Sequence, residues 1–371
     1  MAAFWQQLRH PIKREHADSY LRWLLVSFAL SVIGIRVWLE LTGYPQIGND
    51  NLHIAHVLWG GLLLFVGALF PLIIANRFAL TLSAILAGIG MGQFIDEIGK
   101  FITRTNDYFY APAIPIIYGF FLLTVVLYLR IRRPSPSTNL KAELYAVFDS
   151  FEEILENDLE AKELALLKKR LRGIRGQFDD PNLDRLVLSL LAVVEHDSIT
   201  AVQDTPEWWE KYVAVLKGIE ERILSRGVFR FTLVVSFVLT GLSAFSDAVQ
   251  AAIAFFSETA RTNFLENLLL SGDILAQQAF GWFILTTILE GVIGVALLVS
   301  AFFLVSRREE RAVQIGAMTL LLFLTTVNLL VLYFNQFQAL MTSLFFFLLY
   351  LLTRRYHQRF IQVREDSQLI A

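Results

Sequence analysis

The sequence predicts an all-α fold: a polytopic membrane helix bundle of about eight transmembrane helices, arranged as a 4+4 parallel repeat with a small cytoplasmic helical insert. Composition is the first observation behind this. Hydrophobic residues make up 55% of the 371 positions and charged residues only 18%, where ordinary soluble domains hold roughly 45–50% and about 25%. Mean hydropathy is +0.53. The second observation is the recurrence of long apolar stretches, since a helix needs about 20 mostly apolar residues to cross the bilayer core. The third is the one-sided placement of Lys and Arg at the ends of those stretches. Together they exclude a disordered chain, a nucleic-acid-binding module and a typical soluble enzyme. Net charge is −2, so no strong field draws a charged polymer. The absence of cysteine removes disulfides, thiolate metal sites, iron–sulfur clusters and thiol nucleophiles.

Residues 1–20 form a polar, charged cytoplasmic segment without the basic, apolar and small-residue succession of a cleaved leader. The first membrane half, 21–133, holds the predicted spans Leu21–Thr42, Ile54–Ile74, Phe78–Ile102 and Ala113–Ile131. The second half, 227–355, holds Phe229–Phe255, Phe280–Val305, Val313–Tyr333 and Phe337–Leu352, and 356–371 is a cytoplasmic tail. Arg9, Lys13, Arg14 and Arg22 lie at the start of span one, Arg77 separates spans two and three, and three Arg follow each of spans four, six and eight. With alternating spans all of these fall on one side, while the opposite loops hold only Lys100, Arg104 and Arg261. The basic side is the cytoplasmic one. The expected location is the cell (inner) membrane, multi-pass, with both termini inside.

Residues 134–226 hold 18 acids and 12 bases, the charge density of a soluble domain. Pro-Ser-Pro-Ser at the start breaks the helix leaving the membrane. Leu144, Phe148, Phe151, Leu155 and Leu159 repeat at three- and four-residue spacing, and Leu164, Leu167, Leu171 and Ile174 continue the amphipathic pattern. Gly173 and Gly176 end it, and Pro181 opens a third helix to about His196. Thr205-Pro206-Glu207 reads as the cap and first turn of a fourth, running to Arg226. Such a bundle of roughly 90 residues is near the lower size limit for an independent core. It also offers a surface to a cytoplasmic partner.

The two halves resemble each other. Trp23–Ser31 reads WLLVSFALS and Thr232–Thr240 reads TLVVSFVLT. Placing His56 on Glu290 puts Gly60 on Gly294 and Arg77 on Arg311 without a gap. Four crossings per half make the expected repeat parallel, about an axis along the membrane normal.

An ionisable residue within a span costs on the order of 2.5–3.5 kcal/mol at the helix centre, so its position carries information. His53 and His56 open span two, three residues apart on one helix face. Gln93, Asp96, Glu97 and Lys100 occupy the last turns of span three, and Arg36 and Glu40 lie near the same end of span one. Gly88, Gly90 and Gly92 allow close helix approach around them. Glu290 lies inside span six, where it calls for a partner such as Arg36 or a histidine of the first half, and Asp247 stands near the end of span five. Imidazole and carboxylate together suit a divalent metal such as zinc, iron or manganese, with His53, His56, Asp96 and Glu97 as ligands. The same groups also suit proton relay, because histidine titrates near neutral pH. A plainer arrangement pairs Arg36 with Glu40 and Asp96 with Lys100 at four-residue spacing, as interfacial charges.

The pairing of His-x-x-His-x-x-x-Gly (His53, His56, Gly60) with Gly-x-Gly-x-x-x-Asp-Glu (Gly90, Gly92, Asp96, Glu97) resembles that of uncharacterised prokaryotic polytopic integral membrane proteins. The resemblance covers roughly the first 110 residues, implies a membrane-embedded fold and brings no activity with it. Three readings stand open. One is a transporter or channel for a cation, proton or small polar solute. Another is a metal-dependent enzyme acting on a lipid or quinone at the outer leaflet, with His53, His56 and Asp96 as ligands and Glu97 as general acid/base. The third is a scaffold or sensor whose insert binds a cytoplasmic partner. The lipid bilayer is the expected surrounding, no nucleic acid is expected, and homo-oligomerisation stays open.

Overall fold

A computed structural model of the chain describes residues 12–43, 48–49, 52–53, 55–108, 110–133, 139–156, 159–196, 225–257, 280–334 and 336–362, with 218 and 262 as single positions. Nearly all of them are helical. The first helices are α1 (Ala17–Thr42), α2 (His56–Ile73), α3 (Arg77–Asp96), the short α4 (Ile98–Ile102) and α5 (Ala113–Arg132). The polar insert supplies α6 (Leu140–Glu156), α7 (Ala161–Ile174) and α8 (Pro181–Glu195). There follow α9 (Arg226–Phe256), α10 (Phe280–Val305) and α11 (Glu309–Leu322), which passes through a π-helical segment, Phe323–Val327, into α12 (Asn328–Phe334). The last is α13 (Gln336–His357), which runs into a second π segment, Gln358–Gln362. Between α1 and α2, β1 (Gly48–Asn49) pairs antiparallel with β2 (Leu52–His53).

Seven of these helices are long and apolar enough to cross a membrane: α1, α2, α3, α5, α9, α10, and α11 through to Tyr333. The predicted eighth stretch, Phe337–Leu352, lies within α13, where the side chains of 336–340 are outside the described residues. The predicted fourth helix of the insert, opening at Pro206, also lies outside them. Large apolar side chains such as Leu58, Phe65 and Leu72 of α2 are exposed. A bilayer would cover this surface, since continuous hydrogen-bonded helices are one of the two structures that can cross it.

The chain forms two compact units, Met1–Glu97 with Leu123–Lys211 and Ile98–Leu122 with Tyr212–Ala371. In the first, α3 packs on both α1 and α2 because its packing surfaces are built from glycine. Gly88 and Gly92 lie against Ser27 and Ser31 of α1; a Cβ on Gly92 would come 2.8 Å from Ser31 Cβ. Ser31 Oγ donates to the Ile89 carbonyl at 3.0 Å. Gly60 of α2 and Gly90 meet backbone to backbone, so that a Cβ on either would fall 2.7 Å from the other's carbonyl oxygen. Close approach of this kind is what small residues permit between membrane helices.

The insert follows its sequence pattern in part: Leu167, Leu171 and Ile174 are buried as the spacing predicts, whereas Phe148 and Leu155 are exposed and Val147 takes the core position on α6. Val147, Leu167, Leu171, Val187, Leu191 and Val194 form its buried core. Asp180 caps α8 by accepting from the Asn182 N–H at 2.9 Å, with Pro181 in the first turn, where its missing N–H costs nothing. Reciprocal bonds between Glu160 and Glu163 form a capping box that starts α7.

In the second unit, Gly241 of α9 and Gly294 of α10 meet as Gly60 and Gly90 do, with Cβ-to-carbonyl distances of 2.7 and 2.8 Å. Phe237, Leu297, Leu304, Leu320, Phe323 and Phe346 build the core. At the π segment, the Tyr118 hydroxyl of α5 donates to the Leu324 carbonyl at 2.6 Å. Just beyond it, the fully buried Asn328 accepts from Ser343 Oγ at 2.8 Å.

This packing does not support the 4+4 duplication. Gly60 packs on the following helix, α3, whereas Gly294 packs on the preceding one, α9. A parallel repeat in the predicted register would turn Gly294 toward α11. The local likeness lies elsewhere. Gly60 and Leu64 correspond to Gly294 and Leu298, while their partners Gly90 and Phe94 correspond to Gly241 and Phe245. Span three thus matches span five, out of chain order. The shared feature is a glycine crossing between antiparallel neighbours.

Candidate functional site

The end of α3 and the start of α2 carry a buried ionic cluster. Asp96 is 0% and Glu97 1% exposed. Arg36, on α1, donates from Nε to Asp96 Oδ1 at 2.6 Å. His56, the first residue of α2, places Nε2 3.3 Å from Asp96 Oδ2 and Nδ1 3.1 Å from Glu97 Oε1. Three helices therefore converge on two carboxylates.

Local geometry explains how one imidazole meets two consecutive acids. Successive residues of an unbroken helix point about 100° apart. Here α3 stops at Asp96, Glu97 takes φ −88° and ψ 11°, and the chain restarts as α4. The acids also lie at the N-terminal end of α2, where free N–H groups and the helix dipole favour negative charge. The imidazole thus faces a carboxylate at each of its two nitrogens.

Other predicted site residues fall in different places. Gln93 lies one turn before Asp96, half-buried, with its Cβ 3.0 Å from where a Cβ on Gly60 would stand. Lys100 sits with Nζ 5.3 Å from the centre of the Tyr108 ring. Glu40 is exposed one turn beyond Arg36, and the Arg36 Nε is directed to Asp96. The backbone of His53 lies in β2, but its side chain is outside the described residues. Glu290 is half-buried on α10, close enough to Asp247 of α9 for their charges to interact.

The expected metal shell receives no support. Among the described residues no group of three or more His, Asp or Glu is arranged to hold a metal ion. The reason is visible in the contacts of His56, Asp96 and Glu97: the imidazole nitrogens and carboxylate oxygens face one another, and a guanidinium takes one Asp96 oxygen. What the sequence does not show is which acid Arg36 pairs with. Asp96 is 60 residues away, and Glu40 offers a local alternative.

The helices and their apolar surfaces define a multi-pass integral membrane protein in contact with lipid, carrying an Arg–His–Asp–Glu cluster built on two buried carboxylates. No protein-family model, curated protein or solved structure matches the chain.

Proposed function

We propose that the protein is a transporter or channel for protons or a small cation, and that Arg36, His56, Asp96 and Glu97 form its protonation site on the outer side of the cell membrane. The observation that carries this reading is the His56 imidazole held between two fully buried carboxylates. Buried ionisable groups in membrane helices are costly and mark ion pathways and proton relays. Histidine is also the side chain whose charge changes most readily near neutral pH. The Lys/Arg bias supports an inner location for both termini and for the insert 134–226.

The test is proton flux into liposomes holding the purified chain and a pH-sensitive dye, driven by a potassium diffusion potential. The native protein should show flux above protein-free liposomes, and His56→Gln and Asp96→Asn should abolish it while remaining monodisperse. Flux at the protein-free level, or unchanged flux in both variants, would overturn the proposal. Topology is tested by tags after Ala371 and within 134–226. Labelling of either from outside intact cells contradicts the assignment of sides.

A further inference from the structure

Within the first unit, the insert grips the ends of two other helices. Arg77, the first residue of α3, pairs through Nη1 with Glu153 of α6, a carboxylate only 5% exposed. His16, which immediately precedes α1, places Nε2 3.9 Å from the same Glu153 oxygen. Next to it, Glu15 accepts from Arg170 of α7 at 2.8 Å, and Arg170 Nε lies 3.7 Å from Glu143 of α6. Two insert helices therefore hold the starts of both α1 and α3.

Those two helices run parallel. Ser27 lies on Gly88, Ser31 on Gly92 and Arg36 on Asp96, an almost constant offset along the chain. Glycine meets serine along their interface, where Ser31 donates a hydrogen bond to the Ile89 carbonyl. The helices themselves are stiff, and α3 extends for roughly 30 Å from Arg77 to Asp96. Parting Glu153 from Arg77 would strand a buried carboxylate, which is strongly unfavourable. The insert and α3 therefore move together.

We propose that the insert is a control module for the Arg36–His56–Asp96–Glu97 cluster, acting by setting how α1 lies against α3. The Arg77–Glu153 clasp fixes one end of this helix pair and the Arg36–Asp96 ion pair reads its register at the other. A partner that displaces the insert would thereby alter the cluster without touching it. The coupling concerns the geometry of the site and holds whether or not the site moves protons.

The chain contains no cysteine, so two introduced cysteines report on α1 and α3 without background. Val37→Cys and Phe94→Cys, both at exposed positions, carry spin labels in the full-length protein in lipid nanodiscs. Arg77→Glu and Glu153→Arg should each shift or broaden the label distance distribution by about 1–2 Å, the usual scale of helix shifts. The double exchange should return the parental distribution. Glu153→Gln keeps the side chain's size and should shift it in the same direction, so the test stands if a reversal misfolds. Unchanged distances in the single variants, or a double variant that stays displaced, would overturn the coupling. Absent proton flux with the coupling intact would sink the transport reading alone, and native flux with unchanged distances would sink this one alone.

Discussion

Gly60 and Gly90 cross in one unit as Gly241 and Gly294 cross in the other, yet the two crossings carry opposite chemistry. Four residues before the incoming glycine stands His56 in the first and Glu290 in the second. Six residues after the outgoing glycine stands an aspartate in both, Asp96 and Asp247. The first crossing thus aligns an imidazole with a carboxylate, and Arg36 adds a guanidinium. The second aligns two carboxylates, on helices without any Lys, Arg or His between 231 and 256 or between 280 and 305. Backbone contact between glycines sets the frame, and a single side chain decides whether the frame holds opposite charges or like ones.

Removing a charge should therefore have opposite signs at the two crossings. Asp96→Asn leaves the half-buried Arg36 beside a neutral amide, at a cost near or below the low end of the about 3–5 kcal/mol for breaking a fully buried pair. The thermal midpoint in detergent, followed by tryptophan fluorescence, should fall steeply; a midpoint within a degree of the native one would break the comparison. Testing the frame itself, Gly60→Ala and Gly294→Ala each push a methyl onto backbone, at an expected cost of about 1–3 kcal/mol. Gly61→Ala meets nothing within 4 Å and should be silent, so equal losses at 60 and 61 would deny the crossing its role. Ser31→Ala removes one interhelical hydrogen bond and should cost about 1 kcal/mol. The smallest effect is at Glu290→Gln, which relieves like-charge repulsion and should leave the midpoint unchanged or slightly raised. A loss comparable to that of Asp96→Asn would mean that Glu290 is held by an opposite charge.

The helices were largely legible because apolar stretches of sufficient length have few other solutions. Predicted Ala113–Ile131 and Phe280–Val305 agree with α5 and α10 to within a residue. The ends were less legible where charge and helix overlap. Predicted Phe78–Ile102 runs through Glu97, where the chain breaks into α3 and α4, because no Pro or Gly marks the stop at that position. At the site, the common depth of His56, Asp96 and Glu97 could be read from where each stands in its span. Arg36 was ambiguous, since the spacing to Glu40 is a local rule and the contact with Asp96 depends on how α1 and α3 pack. The clasp between Arg77 and Glu153 joins a membrane turn to the insert, and no periodicity connects them. Glycine spacing revealed that Gly60 and Gly294 are alike but not which neighbour each would choose.

The π segment Phe323–Val327 changes how its stretch of sequence can vary. Asn328 N–H reaches back five residues to the Phe323 carbonyl, one more than an α-helix allows, so everything beyond is turned by about 100° relative to an uninterrupted helix. Beyond that turn Asn328 meets Ser343, and Tyr118 secures the segment from the side through the Leu324 carbonyl. The letters of this segment can be exchanged for others of similar size. Their number is fixed: deleting one residue would rewind the helix and carry the Asn328 amide round to a different face.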